Sequence, residues 1–323
     1  MKDRFQSRIS YQGDIGELSR RVCRDFRIGD LISDSVVRMG YEDLNIAIET
    51  SKGKYLAKIF ADFRDDDCCK RYVDIVSEAL KAGVHIPRLL PSPQGYLHRF
   101  EIDKSWIRLC LMDFIEGKTF FELKTKPTPK EIVFLADQAA LINSIDLRPN
   151  RVYDDWAVVN LENEFNKKSA YLPKKDLSLV QPVISEFRAI NHEQLPACFV
   201  HGDLISINAI KGKDENLWII DFSVSNTYPR IQELAVLACD LLFDEKNRTR
   251  SEKNLVLALG AYQKRIHLTQ LELESLPTYV RAAHAMHVIG ATHQKKAKGN
   301  KSRENEYFLR IGRAGLNQSK IPF

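Results

Sequence analysis

Four polar residues in one stretch of the chain have the types and spacing that phosphoryl transfer requires. His201 and Asp203 stand in the segment HGDLISIN, in which Asn208 follows Asp203 after four intervening residues. A polar turn and the apolar run LWII then lead to Asp221, in the segment DFS. In this order a loop aspartate can lie beside an acceptor hydroxyl, while the asparagine and the second aspartate supply oxygen ligands for Mg²⁺. The stretch predicts a phosphoryl-transfer loop followed by a hairpin that returns a metal-binding carboxylate.

The same segments carry a family resemblance. The spacing from Asp203 to Asn208 is weak by itself, because Asp and Asn are common in turns and helix caps. The hairpin, the strand and the second aspartate that follow in order make the kinase interpretation the better one. HGDLISIN and IIDFS resemble the catalytic loop and the metal-binding segment of the aminoglycoside phosphotransferase/choline kinase superfamily, whose small-molecule kinases share the protein-kinase fold.

The resemblance implies a role for each of these residues. Asp203 would orient, and deprotonate, the acceptor hydroxyl, and His201 would support the loop structurally. Asn208 and Asp221 would hold Mg²⁺, with ATP as the phosphoryl donor. Positioning and charge neutralisation would then supply most of the rate enhancement.

Lys58 is the candidate phosphate ligand. It lies in YLAKIF, in the third of three strands expected at 31–38, 44–50 and 54–60. Taken alone, it could equally be an ordinary lysine on a strand surface. In a kinase-like fold the third strand presents the lysine that pairs with the α- and β-phosphates, and the resemblance places Lys58 at that position.

Two further nucleotide-binding features are expected near these strands. Residues 66–82 read as an amphipathic helix, and one of its carboxylates, Asp74 or Glu78, should orient Lys58. For either residue, an ordinary exposed carboxylate on the helix surface is the alternative. The two lie one turn apart, and the sequence does not choose between them. The phosphate-covering loop should lie between the first two strands, around Gly40, although it has a single glycine where protein kinases have three.

The connection after the fifth strand resembles the hinge that binds adenine in this superfamily. Strands are expected at 95–103 and 105–112, and Asp113, Phe114 and Ile115 follow them. Hinge contacts are made by the backbone, so these side chains serve only to locate the segment. An ordinary strand end is the alternative.

Composition limits the other function classes. The chain has 323 residues, of which 44% are hydrophobic and 28% charged, as in soluble globular proteins. No apolar run approaches the roughly 18 residues of a membrane span, and MKDRFQSRIS lacks the apolar centre of a secretory signal. The six cysteines show no metal-binding spacing and are expected to be reduced, so a cytoplasmic protein is predicted. A net charge of +5 suits nucleotides better than nucleic acid, and oligomeric state stays open.

These patterns together predict an α+β, bilobal protein-kinase-like fold. Residues 1–116 would form a nucleotide-binding N-lobe with a five-stranded sheet and one main helix. Residues 117–323 would form a mostly helical C-lobe with the catalytic loop and the acceptor site. Helical patterns at 14–27, 252–264 and 271–293, the capped segment beginning at Thr128, and the buried run from 228 to 243 agree with this division.

The expected acceptor is a small hydroxylated metabolite. The net charge of +5, and carboxylates followed by lysines in 150–195, do not suit a polycation such as an aminoglycoside. An amino alcohol or hydroxy amino acid is expected first and a sugar second. SIDLRPNRVYDDW and ENEYFLRIGRAG are similar to segments of the bacterial homoserine-kinase branch.

Three alternatives remain at the level of sequence. They are an aminoglycoside-modifying kinase, a protein Ser/Thr kinase and a catalytically silent nucleotide-binding module. Replacement of HRD by HGD, and the missing glycine-rich and A-P-E motifs, disfavour the protein kinase. Intact Lys58, Asp203, Asn208 and Asp221 disfavour the silent module.

Overall fold

The computed structural model describes residues 6–38 and 42–318. The chain forms two compact units, the first made of Met1–Lys81 and His85–Gly117 and the second of Ala82–Val84 and Lys118–Phe323. Gly40, the centre of the predicted phosphate-covering loop, lies outside the described residues.

The first unit is built on an antiparallel sheet of six strands within the described chain. Its order is β1-β2-β3-β6-β4, with β5 paired to β6. In the β2–β3 hairpin the turn after Thr50 sets a register that pairs Asn45 with Lys58. The strands are β1 Leu31–Val37, β2 Leu44–Thr50, β3 Gly53–Ile59, β4 Leu89–Leu90, β5 His98–Ile102 and β6 Ser105–Asp113.

Two amphipathic helices belong to this unit. Helix α1, Ile15–Phe26, begins at Asp14, whose side chain accepts the N–H of Gly16. It buries Leu18, Val22 and Phe26 in a core shared with the inner faces of β2, β3 and β6. Helix α2, Asp66–Lys81, buries one face that includes Tyr72. The core forms because both helices carry apolar residues at helical spacing and the strands carry them in alternation.

The second unit is mostly helical. Thr128 and Thr269 begin α4 and α9 with reciprocal capping boxes, in agreement with the capping signal at Thr128. All nine residues of α7 are buried, as are residues 282–292 of α9. The helices are α3 Phe120–Leu123, α4 Pro129–Asn143, α5 Leu161–Lys168, α6 Lys174–Arg188, α7 Ile231–Cys239, α8 Arg248–Tyr262, α9 Gln270–Ala297 and α10 Arg303–Gln318.

Short strands position the polar segment within this helical unit. Strand β8, Ala197–Val200, pairs with β11, Asn226–Pro229. Strands β9, Ala209–Gly212, and β10, Leu217–Ile219, form a hairpin that is joined by β7, Gly117–Thr119. The catalytic loop predicted from the sequence therefore runs from the end of β8 to the start of β9.

The architecture confirms the predicted α+β class, with one difference in the sheet. The described sheet has a sixth strand, β4, whose two residues are too few for a periodic sequence pattern. All six cysteines are free, and four of them are buried. None of the helices in the described chain combines the length and apolar character that a membrane span requires.

Two histidines are enclosed in the core of the second unit. His284 packs edge-on against Phe243, with ring centroids 4.7 Å apart, and His287 packs against Phe308 at 5.0 Å. Gly315 allows α10 to lie close to the His284 ring, because a Cβ at that position would lie 2.3 Å from the ring. Burial lowers the pKa of His284 to about 3 and that of His287 to about 4. Both rings are neutral at neutral pH.

This enclosure predicts acid sensitivity of the fold. An unfolded histidine takes up a proton near pH 6.5, so the unfolded state binds more protons and stability falls as pH decreases from about 6.5 toward 4. We expect a loss of about 2 kcal/mol per ring in the free energy of unfolding between pH 7 and 5. Urea unfolding at both pH values measures it. His287→Gln should reduce this loss of stability, whereas the control His267→Gln, at an exposed position, should not. Equal losses in the two variants would show that the buried His287 is not a cause of the acid sensitivity.

Candidate active site

The loop after β8 brings Asp203 and Asn208 together. The Asn208 amide Nδ2 donates to Asp203 Oδ2 at 2.7 Å and to the Asp203 carbonyl at 2.9 Å. At the end of β8, Asn143 of α4 donates to the Phe199 carbonyl at 2.9 Å. The four-residue spacing thus forms a closed loop in which the Asp203 carboxylate is oriented by the asparagine.

His201 links this loop to the segment that carries Asp221. Its Nδ1 accepts the Asp203 N–H at 3.2 Å, so Nε2 carries the proton and donates to the Ile220 carbonyl at 3.1 Å. Its ring packs against Phe222, with centroids 4.4 Å apart. Burial lowers the pKa of His201 to about 4, so the ring is neutral. These contacts describe the structural support expected of His201.

Glu233 stands where the resembled family often has the Asp of a D-L-A motif, and the sequence predicts that this departure affects only local packing. In the structure Glu233 also holds the loop. Its Oε2 accepts the N–H of His201 at 2.7 Å and the N–H of Gly202 at 3.3 Å. Gly202 has φ of +85°, a conformation that glycine adopts without strain and that residues with a side chain disfavour. Burial raises the pKa of Glu233 to about 7. The hydrogen bonds to the loop were not predicted, although the sequence has a carboxylate at the start of a buried apolar helix.

A second buried carboxylate, Asp240, holds the middle of the loop. Its Oδ1 accepts the Ser206 N–H at 3.1 Å and the Tyr307 hydroxyl at 3.2 Å. Lys126 donates to the Asp240 carbonyl at 2.7 Å. Asp240 Oδ2 is buried and has no hydrogen-bond partner within the described chain. Residues more than 180 positions apart meet here, so no local pattern could have predicted the network.

Asp221 follows the hairpin in a strained backbone conformation. Its φ is +65°, in the left-handed region that residues other than glycine seldom adopt. Immediately before it, the Ile220 N–H donates to the Asn208 carbonyl at 3.0 Å, next to the β9–β10 pairing. The hairpin therefore returns the chain to the loop, as the sequence pattern predicted.

The segment 150–160 is fastened to the same region. Asn226 accepts the Val152 N–H at 3.1 Å and donates to the Val152 carbonyl at 3.0 Å. Gln232 accepts the Val159 N–H at 3.2 Å. Between these anchors Asp154 is 8% exposed. Its carboxylate is thereby held near the catalytic loop.

Several carboxylates act on Asp203. Part of Asp203 remains exposed, but protein surrounds its carboxyl enough for burial to be the main cause that raises its pKa to about 8. The negative charges of Asp154 and Asp221 raise it further, and Asp240 adds a smaller effect. The hydrogen bond from Asn208 acts in the opposite direction. The site therefore has a negative potential that a cation would relieve.

The donor set fits a hard divalent cation. Asn208 uses Nδ2 to hold Asp203, which leaves its Oδ1 as the polar atom for a cation, and Asp221 supplies a carboxylate. Within the described residues no three His, Cys, Asp or Glu side chains form a metal site. Mg²⁺ commonly uses one or two protein oxygens and completes its coordination with phosphate and water. The two residues suit that mode.

In the first unit, Lys58 has a different partner from the one expected. It forms an ion pair with Asp43 at 3.1 Å. Asp74 pairs instead with Lys70, and Glu78 with Lys81. Both carboxylates of α2 lie near solvent, where a lysine one turn away on their own helix contacts them. The expectation that one of them pairs with Lys58 is therefore corrected.

The predicted hinge residues lie at the end of β6. The N–H of Asp113 donates to the Arg88 carbonyl at 3.0 Å, and the N–H of Phe114 donates to the Lys54 carbonyl at 3.1 Å. The Asp113 side chain pairs with Arg88. Ile115 follows outside the strand. Adenine recognition by this segment stays a prediction.

Comparison with known proteins decides the family. A model of the phosphotransferase enzyme family matches residues 35–276. The chain belongs to this family. The match covers most of both units and includes Lys58, Asp203, Asn208 and Asp221. It confirms the prediction of a phosphotransferase from a small-molecule kinase family.

Individual relatives have low sequence identity to this chain, but the similarity extends over most of its length. The homoserine kinase of Agrobacterium fabrum is 22% identical over 266 residues, which cover 82% of this chain and 81% of the relative. The microcompartment-associated aminopropanol kinase superposes with a TM-score of 0.70 at 12% identity, covering 95% of this chain and 97% of that one. Amicoumacin kinase in complex with AMP-PNP, Ca²⁺ and Ami gives 0.68 at 13% identity, covering 98% and 96%. The structural similarities confirm the kinase-like fold.

The contacts of Glu233 generate a prediction about loop stability. Glu233→Ala leaves two buried N–H groups without an acceptor, so we expect the free energy of unfolding to fall by about 2–4 kcal/mol. Glu233→Gln keeps a carbonyl oxygen and should lose clearly less. Denaturant unfolding measures both, with Glu274→Ala on an exposed position as the control. A loss for Glu233→Ala no larger than that of the control would contradict the role.

Proposed function

We propose that the chain transfers the γ-phosphoryl group of ATP, with Mg²⁺, to a hydroxyl group of a small metabolite. The acceptor is an amino alcohol or hydroxy amino acid in the first place and a sugar in the second. The observation that carries this proposal is the Asp203 carboxylate, oriented by Asn208 at 2.7 Å and influenced by the charge of Asp221. A general base and two cation ligands are thereby combined within one unit.

In the proposed step, Asp203 receives the proton of the acceptor hydroxyl. The acceptor oxygen forms a bond to the γ-phosphorus as the bond from that phosphorus to the β,γ-bridging oxygen breaks. ADP leaves with the bonding electrons, and the proton is carried by Asp203. Asn208 holds Asp203 Oδ2, so Oδ1 is the oxygen available to the acceptor. The raised pKa of Asp203 suits a group that must take up a proton.

Asn208 and Asp221 are the proposed ligands of Mg²⁺. When bound, the ion would neutralise charge on the phosphates. The protein fixes the position of both ligands. The backbone carbonyl of Asn208 accepts the Ile220 N–H, and the backbone of Asp221 has a left-handed conformation. Two hydrogen bonds maintain this arrangement: that from the His201 ring to the Ile220 carbonyl, and that from the His201 N–H to Glu233.

Lys58 of the first unit is the proposed phosphate ligand, and residues 113–115 are the proposed adenine hinge. Lys58 is 7% exposed at its side chain and lies beside the carboxylate of Asp43. In this proposal residues 1–116 bind the nucleotide and residues 117–323 bind the acceptor. The match of the family model across both regions supports that division.

The charges near Asp203 favour an acceptor with one ammonium group. Asp154, Asp221 and Asp240 all act on Asp203. Two lysines of the 150–195 segment are themselves paired with a carboxylate: Lys167 with Glu164 at 3.0 Å and Lys168 with Glu164 at 2.6 Å. A single ammonium would complement this local field, whereas a neutral sugar would not. The names of relatives that act on homoserine and aminopropanol agree with this choice.

An acceptor screen tests the proposal. Release of ADP from Mg²⁺–ATP would be measured with homoserine, aminopropanol, ethanolamine, neutral sugars and kanamycin-type aminoglycosides. We expect turnover with at least one small amine-bearing alcohol and little with the sugars. Turnover confined to aminoglycosides, together with antibiotic resistance of cells that express the chain, would overturn the choice of acceptor.

The same assay includes Asp203→Asn as the matched inactive variant. Asparagine preserves the size of the side chain but cannot take the proton, so turnover should fall by roughly 10²–10⁴. Affinity for Mg²⁺–ATP should stay close to that of the parent. Turnover within a few-fold of the parent would show that Asp203 is only a structural residue.

A separate prediction concerns Asp221. Asp221→Asn removes the negative charge, while asparagine tolerates the positive φ, so the fold should be retained. We expect phosphoryl transfer to be lost and the gain in nucleotide affinity on adding Mg²⁺ to fall by about tenfold or more, since each factor of ten is about 1.4 kcal/mol. Nucleotide titration with and without Mg²⁺ measures this. An unchanged gain would remove Asp221 from the cation site.

A further inference from the structure

The ion pair of Lys58 with Asp43 is almost fully buried. Lys58 Nζ lies 3.1 Å from Asp43 Oδ2, and the two side chains are 7% and 3% exposed. Asp43 immediately precedes β2, whose first residue, Leu44, pairs with Ile59 of β3. The register of the hairpin therefore places Lys58 of β3 beside the residue that comes just before β2. A buried lysine without a carboxylate nearby would be costly, so this contact is a strong constraint on the ammonium.

Asp43 is itself fixed from several sides. Its Oδ1 accepts Arg64 Nε at 2.9 Å and the N–H of Ala61 at 3.1 Å. Its carbonyl accepts a guanidinium nitrogen of Arg8 at 2.8 Å. The two carboxylate oxygens are thus divided, with Oδ1 bound to the surrounding unit and Oδ2 facing Lys58. Because the guanidinium of Arg64 neutralises it, Asp43 can keep its position when a negatively charged phosphate arrives.

Helix α2 presents an aromatic ring to Lys58. Lys58 Nζ lies 4.9 Å from the centroid of the Tyr72 ring. Asp74 and Glu78, the carboxylates of this helix that the sequence offered, are 54% and 43% exposed at their side chains and contact other lysines. The Tyr72 ring and Asp43 both lie beside the ammonium.

We propose that Asp43, anchored by Arg64, is the positioning residue that orients Lys58 toward the nucleotide phosphates, in place of a carboxylate from α2. This inference rests on the proposed function, in which Lys58 is a phosphate ligand. An ammonium has three N–H donors, so donation to Asp43 is compatible with donation to phosphate oxygens. Asp43 acts through Lys58 and does not itself contact the nucleotide.

The test compares the binding of ATP and of adenosine, each titrated into the full chain with Mg²⁺. Asp43→Asn keeps the shape and an acceptor for the Ala61 N–H but removes the charge. We expect it to weaken ATP binding by about tenfold or more and to leave adenosine binding within about twofold, because only the phosphates require Lys58. Equal weakening of both ligands would indicate general damage and would contradict orientation of Lys58.

Asp74→Asn and Glu78→Gln are the matched controls, since each removes one charge from α2. Both should bind ATP within about twofold of the parent. A tenfold loss in either one would overturn the proposal, whether or not the Asp43 variant folds. If Asp43→Asn fails to fold, Arg64→Gln is tested in its place. Weaker binding of ATP with unchanged binding of adenosine then supports the proposal, and unchanged binding of ATP contradicts it.

Lys58→Met separates this inference from the proposed function. If Lys58→Met binds ATP as the parent does, the assignment of Lys58 as a phosphate ligand fails. If Lys58→Met is impaired and Asp43→Asn is not, only the role of Asp43 fails. If both are impaired, the double variant should be no worse than Lys58→Met alone, because Asp43 acts through that side chain.

Discussion

Two consecutive backbone N–H groups, those of His201 and Gly202, point into the interior of the helical unit, and one carboxylate accepts both. That carboxylate belongs to Glu233, on a helix whose residues are all buried. Because a buried N–H without an acceptor is costly, the loop and the helix constrain each other. The position of Asp203 follows, since the His201 ring accepts the Asp203 N–H on one side and holds Ile220 on the other. The carboxylates proposed to act in catalysis, Asp203 and Asp221, are thus positioned with the help of a third carboxylate, that of Glu233.

The loop is also supported from distant parts of the chain. Asp240 and Tyr307 meet at Ser206, between Asp203 and Asn208. Tyr307 lies on α10. This helix packs closely on α9 because Gly312 and Gly315 have no side chain that would meet residues of α9. The Phe121 ring packs edge-on against Tyr307, with centroids 5.3 Å apart. The C-terminal helix therefore belongs to the scaffold of the catalytic loop, although no residue on it resembles a catalytic group.

Local order along the chain explains what could be predicted from sequence. His201, Asp203, Asn208 and Asp221 lie within 21 residues, and their spacing determines a closed loop and a hairpin, so the arrangement was predictable. The partner of Lys58 depends on strand register, which pairs Asn45 with Lys58 and leaves Asp43 beside the ammonium. Helical periodicity identifies α2 correctly but does not show that its carboxylates face solvent.

The net charge of the chain differs in sign from the local charge around Asp203. A net charge of +5 describes the whole chain, yet the charges closest in effect to Asp203 are three carboxylates from separate segments. Two of the lysines in 150–195 are neutralised locally: Lys168 pairs with Asp155 at 2.7 Å and with Glu164, and Lys167 pairs with Glu164. Electrostatic interactions between exposed charges are screened by salt over about 10 Å, whereas those between buried charges are screened much less. In the proposed function the acceptor therefore meets the charges of Asp154, Asp221 and Asp240, and the excess of basic residues elsewhere has little influence on it.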